Sequence, residues 1–191
     1  MRLTARKLLG FGLKVLLVLA LFAITWPYLA PGYNVLVATI TVWLAPTLTG
    51  VSGEVTEVTA DLIKLNLHFL LPHQRAKVKI EYEYDGYFHA NLGILLALFV
   101  ATPFLKPSRL LRLIAIAAAF MIIFHILFLL ISGTIVDPCV RGVFRCPGQS
   151  WYRWLDRLMA VSKNFFPFLL WAVLTWRSWL PKLGPRDTPQ P

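Results

Sequence analysis

The stretch from Leu113 to Val136 constrains the fold of this chain more than any other part of the sequence. It is uncharged over its whole length and follows a basic cluster formed by Lys106, Arg109 and Arg112. A helix of about 20 apolar residues crosses the roughly 30 Å hydrocarbon core of a bilayer. A helix that is apolar on every face needs such surroundings. The chain is therefore predicted to be an α-helical integral membrane protein.

The composition supports several such segments. Of the 191 residues, 58% are hydrophobic and 15% are charged, whereas soluble domains carry about 25% charged residues. A net charge of +10 can indicate nucleic-acid binding, but here the basic residues flank apolar segments. In that position they anchor helices and contact anionic headgroups. Membrane lipid is therefore an expected partner, and nucleic acid is not.

Four transmembrane helices are predicted. The first follows a basic start and lies in residues 1–30, as an uncleaved signal anchor. Pro31-Gly32 is predicted to end it. Residues 31–50 then form an interfacial helix, with Asn34 as a candidate N-cap, or alternatively a short second span.

The other three spans lie in residues 87–180. Their approximate limits are Tyr87–Leu105, Leu113–Val136 and Asn164–Trp179. The amphipathic segment Trp151–Lys163 is expected to lie at the membrane interface, and the proline-rich tail 181–191 is expected to be disordered and cytoplasmic. Tryptophans at helix edges are predicted interface anchors; they are Trp43, Trp151, Trp154, Trp176 and Trp179.

Residues 51–86 have a period of two instead of a helical period. Apolar and polar residues alternate in Leu62–Phe69 and again in Lys77–Tyr84, which predicts two half-buried strands. Leu70–Arg75 is a plausible hairpin connection, and Glu54–Thr59 is a candidate third strand. So few residues cannot enclose a core. The sheet must therefore rest on the membrane face, on the preceding surface helix or on a partner protein.

The distribution of charge predicts the orientation. Four spans place both termini on the same side as the loop 106–112. That side carries ten Lys and Arg residues with one acid, whereas the other carries nine with eight acids. Since Lys and Arg in short loops favour the cytoplasm, both termini are predicted to be cytoplasmic, in a bacterial inner membrane. The β-rich segment and the outer loop 137–150 then lie in the periplasm.

The two cysteines, Cys139 and Cys146, both lie in this outer loop. An oxidising compartment favours a disulfide between them. A free or catalytic thiol is the alternative. A membrane cysteine transpeptidase, for example, would combine Cys139 with His125 and with Arg141 or Arg145. A quinone-linked thiol oxidase would need a second cysteine pair to relay electrons, and the sequence has none.

His125 lies inside the most apolar helix, where an ionisable group is a functional candidate by default. It could carry protons, bind haem, chlorophyll or quinone, or assist a catalytic cysteine. The structural alternative is a neutral imidazole hydrogen-bonded to a neighbouring helix. His68, His73 and His89 lack metal-ligand spacing and are predicted surface residues. The sequence thus assigns no catalytic set, no metal site and no cofactor.

The segment Gly93–Leu113, GILLALFVATPFLKPSRLLRL, is a short apolar span ending in Ala-Thr-Pro, followed by a basic turn into the next helix. In this feature, and in its order of anchor, β-rich outer segment and three further spans, the chain resembles small bacterial inner-membrane proteins associated with exosortase systems. The resemblance implies an accessory role in the export of surface proteins or exopolysaccharide. It implies no catalytic residues.

The predicted function is that of a non-catalytic accessory or structural subunit of a larger bacterial inner-membrane assembly. Its protein partner would be a larger membrane protein or another copy of the chain, and the open edge of the small sheet offers one means of pairing. Two alternatives remain open. One is a membrane enzyme that uses Cys139 or His125, and the other is a subunit that binds a pigment or quinone around His125.

Overall fold

A computed structural model of the chain describes residues 5–70, 77–85, 91–102, 105–142, 146 and 148–179. In chain order, the elements are α1 (Ala5–Thr49), β1 (Ser52–Val58), β2 (Leu62–Leu70), β3 (Lys77–Asp85), α2 (Asn91–Ala101), α3 (Pro107–Ile131), a π-helical turn (Ser132–Val136), α4 (Asp137–Val140) and α5 (Gln149–Trp179). The predicted disordered tail lies outside the described residues.

Helix α1 continues through Pro31-Gly32, so the prediction of two separate helices was wrong, and Asn34 is not an N-cap. Its 45 residues extend over about 67 Å, roughly twice the thickness of the hydrocarbon core. Proline removes one helical hydrogen bond and normally kinks or ends a helix. Here the following turns are held by tertiary packing, since Val37 and Ala38 are buried beneath the sheet. That packing outweighs the local preference for a break.

Helix α5 is also continuous, so the amphipathic segment Trp151–Lys163 and the last predicted span form one helix through Pro167. At the C-terminal end of α3, the π-helical turn joins α3 directly to α4. The first residues of the predicted outer loop are therefore helical. Both corrections have the same cause, because packing against the rest of the protein supports helix beyond the purely apolar segment.

Within the described residues, three helical stretches are long and apolar enough to cross a membrane, as expected of a membrane protein. They are Leu9–Thr49, Pro107–Val140 and Gln149–Trp176. In the remaining predicted span, Tyr87–Leu105, the described helix is α2, whereas residues 87–90 and 103–104 lie outside the described part of the chain. The 11 residues of α2 extend over only about 16 Å, about half the hydrocarbon thickness.

The predicted strands are confirmed, and the candidate third strand exists as β1. The three strands form one antiparallel sheet in the order β1-β2-β3, with Leu65 of β2 opposite Val55 of β1 and Tyr82 of β3. The apolar residues that alternate along β2 face inward and are almost fully buried, among them Ile63 and Leu67. The tip of the β2–β3 hairpin lies outside the described residues.

Of the three supports that the sequence allowed, the sheet rests on the helix that precedes it. Strand β1 runs back along the C-terminal half of α1, and residues of β2 and β3 pack on α1 and α3 in one apolar cluster. The Tyr82 hydroxyl donates a hydrogen bond of 2.9 Å to Ser132 Oγ in the π-helical turn. A Cβ at Gly133 would lie 3.2 Å from the Tyr82 ring and 3.3 Å from Leu67. Glycine therefore permits the close approach of sheet and helix.

The outer face of the sheet is polar. Lys64 lies between Glu57 and Glu83, at N–O distances of 3.1 and 3.4 Å, and the hydrogen bonds that its ammonium donates to these carboxylates raise its pKa. Exposed pairs of this kind contribute little to stability. Burial on the inner face raises the pKa values of Tyr82 and Tyr84 well above that of a free phenol, so both are neutral at physiological pH. The sheet thus has one polar and one apolar face.

Candidate functional site

The candidate site is centred on His125, which α3 places beside α1 in the interior of the protein. Its side chain is 0% exposed, and its Nδ1 lies 2.7 Å from the Tyr33 hydroxyl oxygen of α1. The two rings meet edge to face, with centroids 5.8 Å apart. The phenol donates when Nδ1 carries no proton and accepts when it does. The neighbouring-helix partner that the sequence left unnamed is therefore Tyr33.

The next residue, Asn34, is also 0% exposed and connects the same turn of α1 to the sheet. Its side-chain amide donates to the carbonyl oxygens of Thr59 and Ala60, at 2.8 and 3.2 Å. These carbonyls belong to the turn between β1 and β2. Tyr33 and Asn34 thus join α1, α3 and the sheet at one level of the molecule.

Replacement of Asn34 by alanine is expected to lower the free energy of unfolding by about 1–2 kcal/mol. The substitution removes two donors from partly buried carbonyl groups, which then depend on water. In Asn34→Ala, the increase in the rate of amide hydrogen exchange should be larger in the turn at residues 59–61 than in β2. Thr39→Ala is a suitable control, because Thr39 is exposed on another face of α1. Equal protection of the turn in both variants would contradict this role for Asn34.

Beside Tyr33, an apolar groove of about 490 Å³ runs between α1, α2 and α3. Its walls combine Trp26 and Tyr33 of α1, Leu95 and Phe99 of α2, and Ala117 of α3. Helix α2 approaches α1 closely at its start, where a Cβ on Gly93 would overlap the ring of Phe22. Such a surface suits a hydrocarbon chain and offers no charged group for a polar substrate.

The cysteine loop lies at the far end of α3 from the basic cluster. Cys139 and Cys146 form a disulfide with their Cα atoms 5.6 Å apart, and Arg141 pairs with Asp137 at 2.8 Å. Cys139 lies 14 residues beyond His125 in continuous helix, a distance of about 20 Å. The fold therefore does not bring the cysteine and histidine of the transpeptidase hypothesis together. Arg145 lies outside the described residues.

The other predicted site residues are dispersed. The side chains of Trp43, Trp151, Trp154 and Trp176 are exposed, and the Trp151 and Trp154 rings stack with centroids 5.0 Å apart. Trp179 ends α5, and its side chain is not described. His68 is half-buried in β2, whereas His73 and His89 lie outside the described residues.

Three residues around the site were not predicted as a group: Trp26, Tyr33 and Asn34. The only signal in the sequence is their polarity within a run from residue 15 to 53 that has no charge.

Among the residues that the structure describes, no group of three or more His, Cys, Asp or Glu side chains lies close enough to hold a metal ion. No protein-family model matches the chain, and no curated protein or solved structure is significantly similar to it.

Proposed function

We propose that the protein is a non-catalytic accessory subunit of a larger assembly in a bacterial inner membrane. The observation that carries this proposal is an apolar stripe along α5. Its residues recur at alternating intervals of three and four, and each is between 45% and 66% exposed. They are Trp151, Trp154, Leu158, Val161, Phe165 and Phe168.

This spacing is the heptad pattern with which one helix packs along another. A neighbouring face of α5 already contacts the rest of the protein, and Met159 packs against the cluster beneath the sheet. The N-terminal half of α5 therefore lies at the level of the sheet. It carries Arg153, Asp156 and Arg157 on its other faces. Lipid tails can cover the C-terminal part of the stripe. Its N-terminal part, beside these charged residues, needs a partner helix to cover it.

The topology that accompanies this proposal has four spans, with α2 as the described part of the second. The side chain of Asn91 at the start of α2 donates to the Lys163 carbonyl oxygen at 2.7 Å, and Trp171 Nε1 donates to Thr102 Oγ1 at 2.8 Å. Helices α2 and α5 therefore run in the same direction. Cytoplasmic termini would agree with the Lys and Arg distribution and would place the disulfide in the oxidising periplasm.

The resemblance in Gly93–Leu113 favours an export system for surface proteins or exopolysaccharide as the assembly. The enzyme alternative has weaker support, because Cys139 is disulfide-bonded and His125 is fully enclosed.

Purification from the native host in mild detergent, followed by mass spectrometry, tests the proposal. A larger membrane protein is expected to co-purify in a fixed ratio. Leu158→Arg and Val161→Arg place a charge on the stripe and should reduce its recovery at least tenfold. Ala160→Arg is the matched control, because Ala160 is exposed on the opposite face of the same turn. A monomer without bound protein, or a homo-oligomer alone, would contradict the proposed assembly.

A further inference from the structure

Four basic residues lie toward the ends of α1 and α3 that are remote from the sheet, and we name them the basic belt. They are Lys14 of α1 and Lys106, Arg109 and Arg112 of α3. All four side chains are exposed, and none forms an ion pair with another described residue. Residues 1–53 and 86–136 contain no Asp or Glu. Helices α1, α2 and α3 therefore supply no acid that could neutralise the belt.

The two helices place their lysines at the same depth. Tyr33 of α1 contacts His125 of α3, 92 positions later, and both helices line the same groove. Lys14 and Lys106 are separated by the same interval, and each lies 19 residues before the contact on its own helix. Since α1 and α3 run in the same direction, both lysines lie about 28 Å along the helix from the contact.

This depth is where the uncharged part of each helix begins. No charged residue occurs between positions 15 and 53 or between positions 113 and 136, so the belt directly precedes both apolar segments. Basic residues in that position lie in the headgroup layer of a bilayer. The belt therefore faces lipid headgroups from two neighbouring helices.

The part of the belt on α3 is a row of like charges. Residues three apart on a helix are neighbours on its surface, so Arg109 lies next to both Lys106 and Arg112. These cations repel one another, the helix dipole disfavours them at this end of α3, and the first turn contains no acid. An anion from outside the protein would offset both effects. In the headgroup layer, the phosphate of an anionic phospholipid is such an anion.

We propose that the basic belt binds the headgroup of one anionic phospholipid. Its phosphate oxygens accept hydrogen bonds from the guanidinium and ammonium groups, and arginine can donate two of them to one phosphate. A zwitterionic lipid is a weaker ligand, because its own ammonium group adds a positive charge beside the belt. The proposal does not depend on the partner surface on α5, since the lipid contacts this chain alone.

Arg109→Gln combined with Arg112→Gln removes two charges from the belt. Both side chains are exposed, so the change leaves the packing of the helices intact. Arg153→Gln combined with Arg157→Gln is the matched control, because it removes two exposed guanidinium groups from α5, outside the belt. A third variant, in which lysine replaces Arg109 and Arg112, keeps the charge and separates loss of charge from loss of fold.

The measurement is native mass spectrometry of the full-length protein in detergent, titrated with palmitoyl-oleoyl phosphatidylglycerol or phosphatidylethanolamine. The wild type and the control should bind one phosphatidylglycerol at least tenfold more tightly than phosphatidylethanolamine. The glutamine variant should bind phosphatidylglycerol at least tenfold more weakly than the wild type, whereas the lysine variant should retain most of the affinity. A higher concentration of ammonium acetate should weaken binding to the wild type, because salt screens exposed charges.

Equal affinity of the wild type for the two lipids would overturn the proposal, and so would unchanged binding by the glutamine variant. A parallel titration with inorganic phosphate tests a soluble anion. Displacement of phosphatidylglycerol by an equal concentration of inorganic phosphate would overturn the assignment to a lipid. Because the α5 variants keep the belt, loss of the co-purifying protein and loss of lipid binding are separate outcomes.

Discussion

His125→Ala is expected to lower the free energy of unfolding by about 3 kcal/mol. The substitution leaves a cavity in a fully buried position, and large-to-small changes at such positions typically cost about 2–5 kcal/mol. It also removes the ring nitrogen that faces the Tyr33 hydroxyl, and the lost hydrogen bond adds to the cost. Chemical denaturation in detergent micelles, followed by circular dichroism, measures the change.

Two further variants separate the contributions. Tyr33→Phe removes only the hydroxyl and should cost about 1 kcal/mol. His125→Asn keeps a polar atom near the position of Nδ1 and should recover part of the stability that His125→Ala loses. If His125→Ala instead folds with unchanged stability while the host loses a measurable activity, the histidine has a chemical role and its packing is secondary. That outcome would favour the enzyme or cofactor-binding alternatives.

Removal of the disulfide is the second substitution with a large expected effect. Cys139→Ser or Cys146→Ser should lower the free energy of unfolding by about 2 kcal/mol, because the bond closes a loop with a sequence separation of seven and short loops lie at the low end of the usual range. The loss should be local to the connection between α4 and α5. Thermal unfolding monitored by tryptophan fluorescence should report it, since Trp151 and Trp154 follow this connection.

A reducing agent supplies the control for this prediction. It should lower the unfolding temperature of the wild type to that of the serine variants and leave the variants unchanged. The same bond tests the orientation, because it persists only in an oxidising compartment. Thiol labelling in intact cells should find both cysteines blocked until a reductant is added. Free thiols in untreated cells would place the loop in the cytoplasm and reverse the proposed topology.

The sequence predicted the elements of this protein better than their limits. The alternation in Leu62–Phe69 and Lys77–Tyr84 identified β2 and β3 almost to the residue, because a sheet with one polar and one apolar face imposes a period of two. The prediction that the helix breaks at Pro31-Gly32, by contrast, was wrong. A local signal predicted it, and distant packing by the sheet outweighs that signal.

The candidate site was less accessible from the sequence. His125 stands out as an ionisable residue in an apolar helix, but its partner Tyr33 lies 92 residues away, and no spacing rule connects them. The disulfide was predictable because the two cysteines are separated by only seven positions in the sequence. Only the structure showed that Cys139 and His125 are far apart, because α3, the π-helical turn and α4 form one continuous helical segment.

The sequence by itself determined the membrane class, the alternating strands and the cysteine pair, because each depends on hydropathy or on residues that are close along the chain. Only the tertiary structure decided that the sheet rests on the C-terminal half of α1, that Tyr33 holds His125, and that a groove remains beside Trp26. These features depend on contacts between distant segments, where the side chains of several helices and strands must fit together. Local patterns carry no information about that fit.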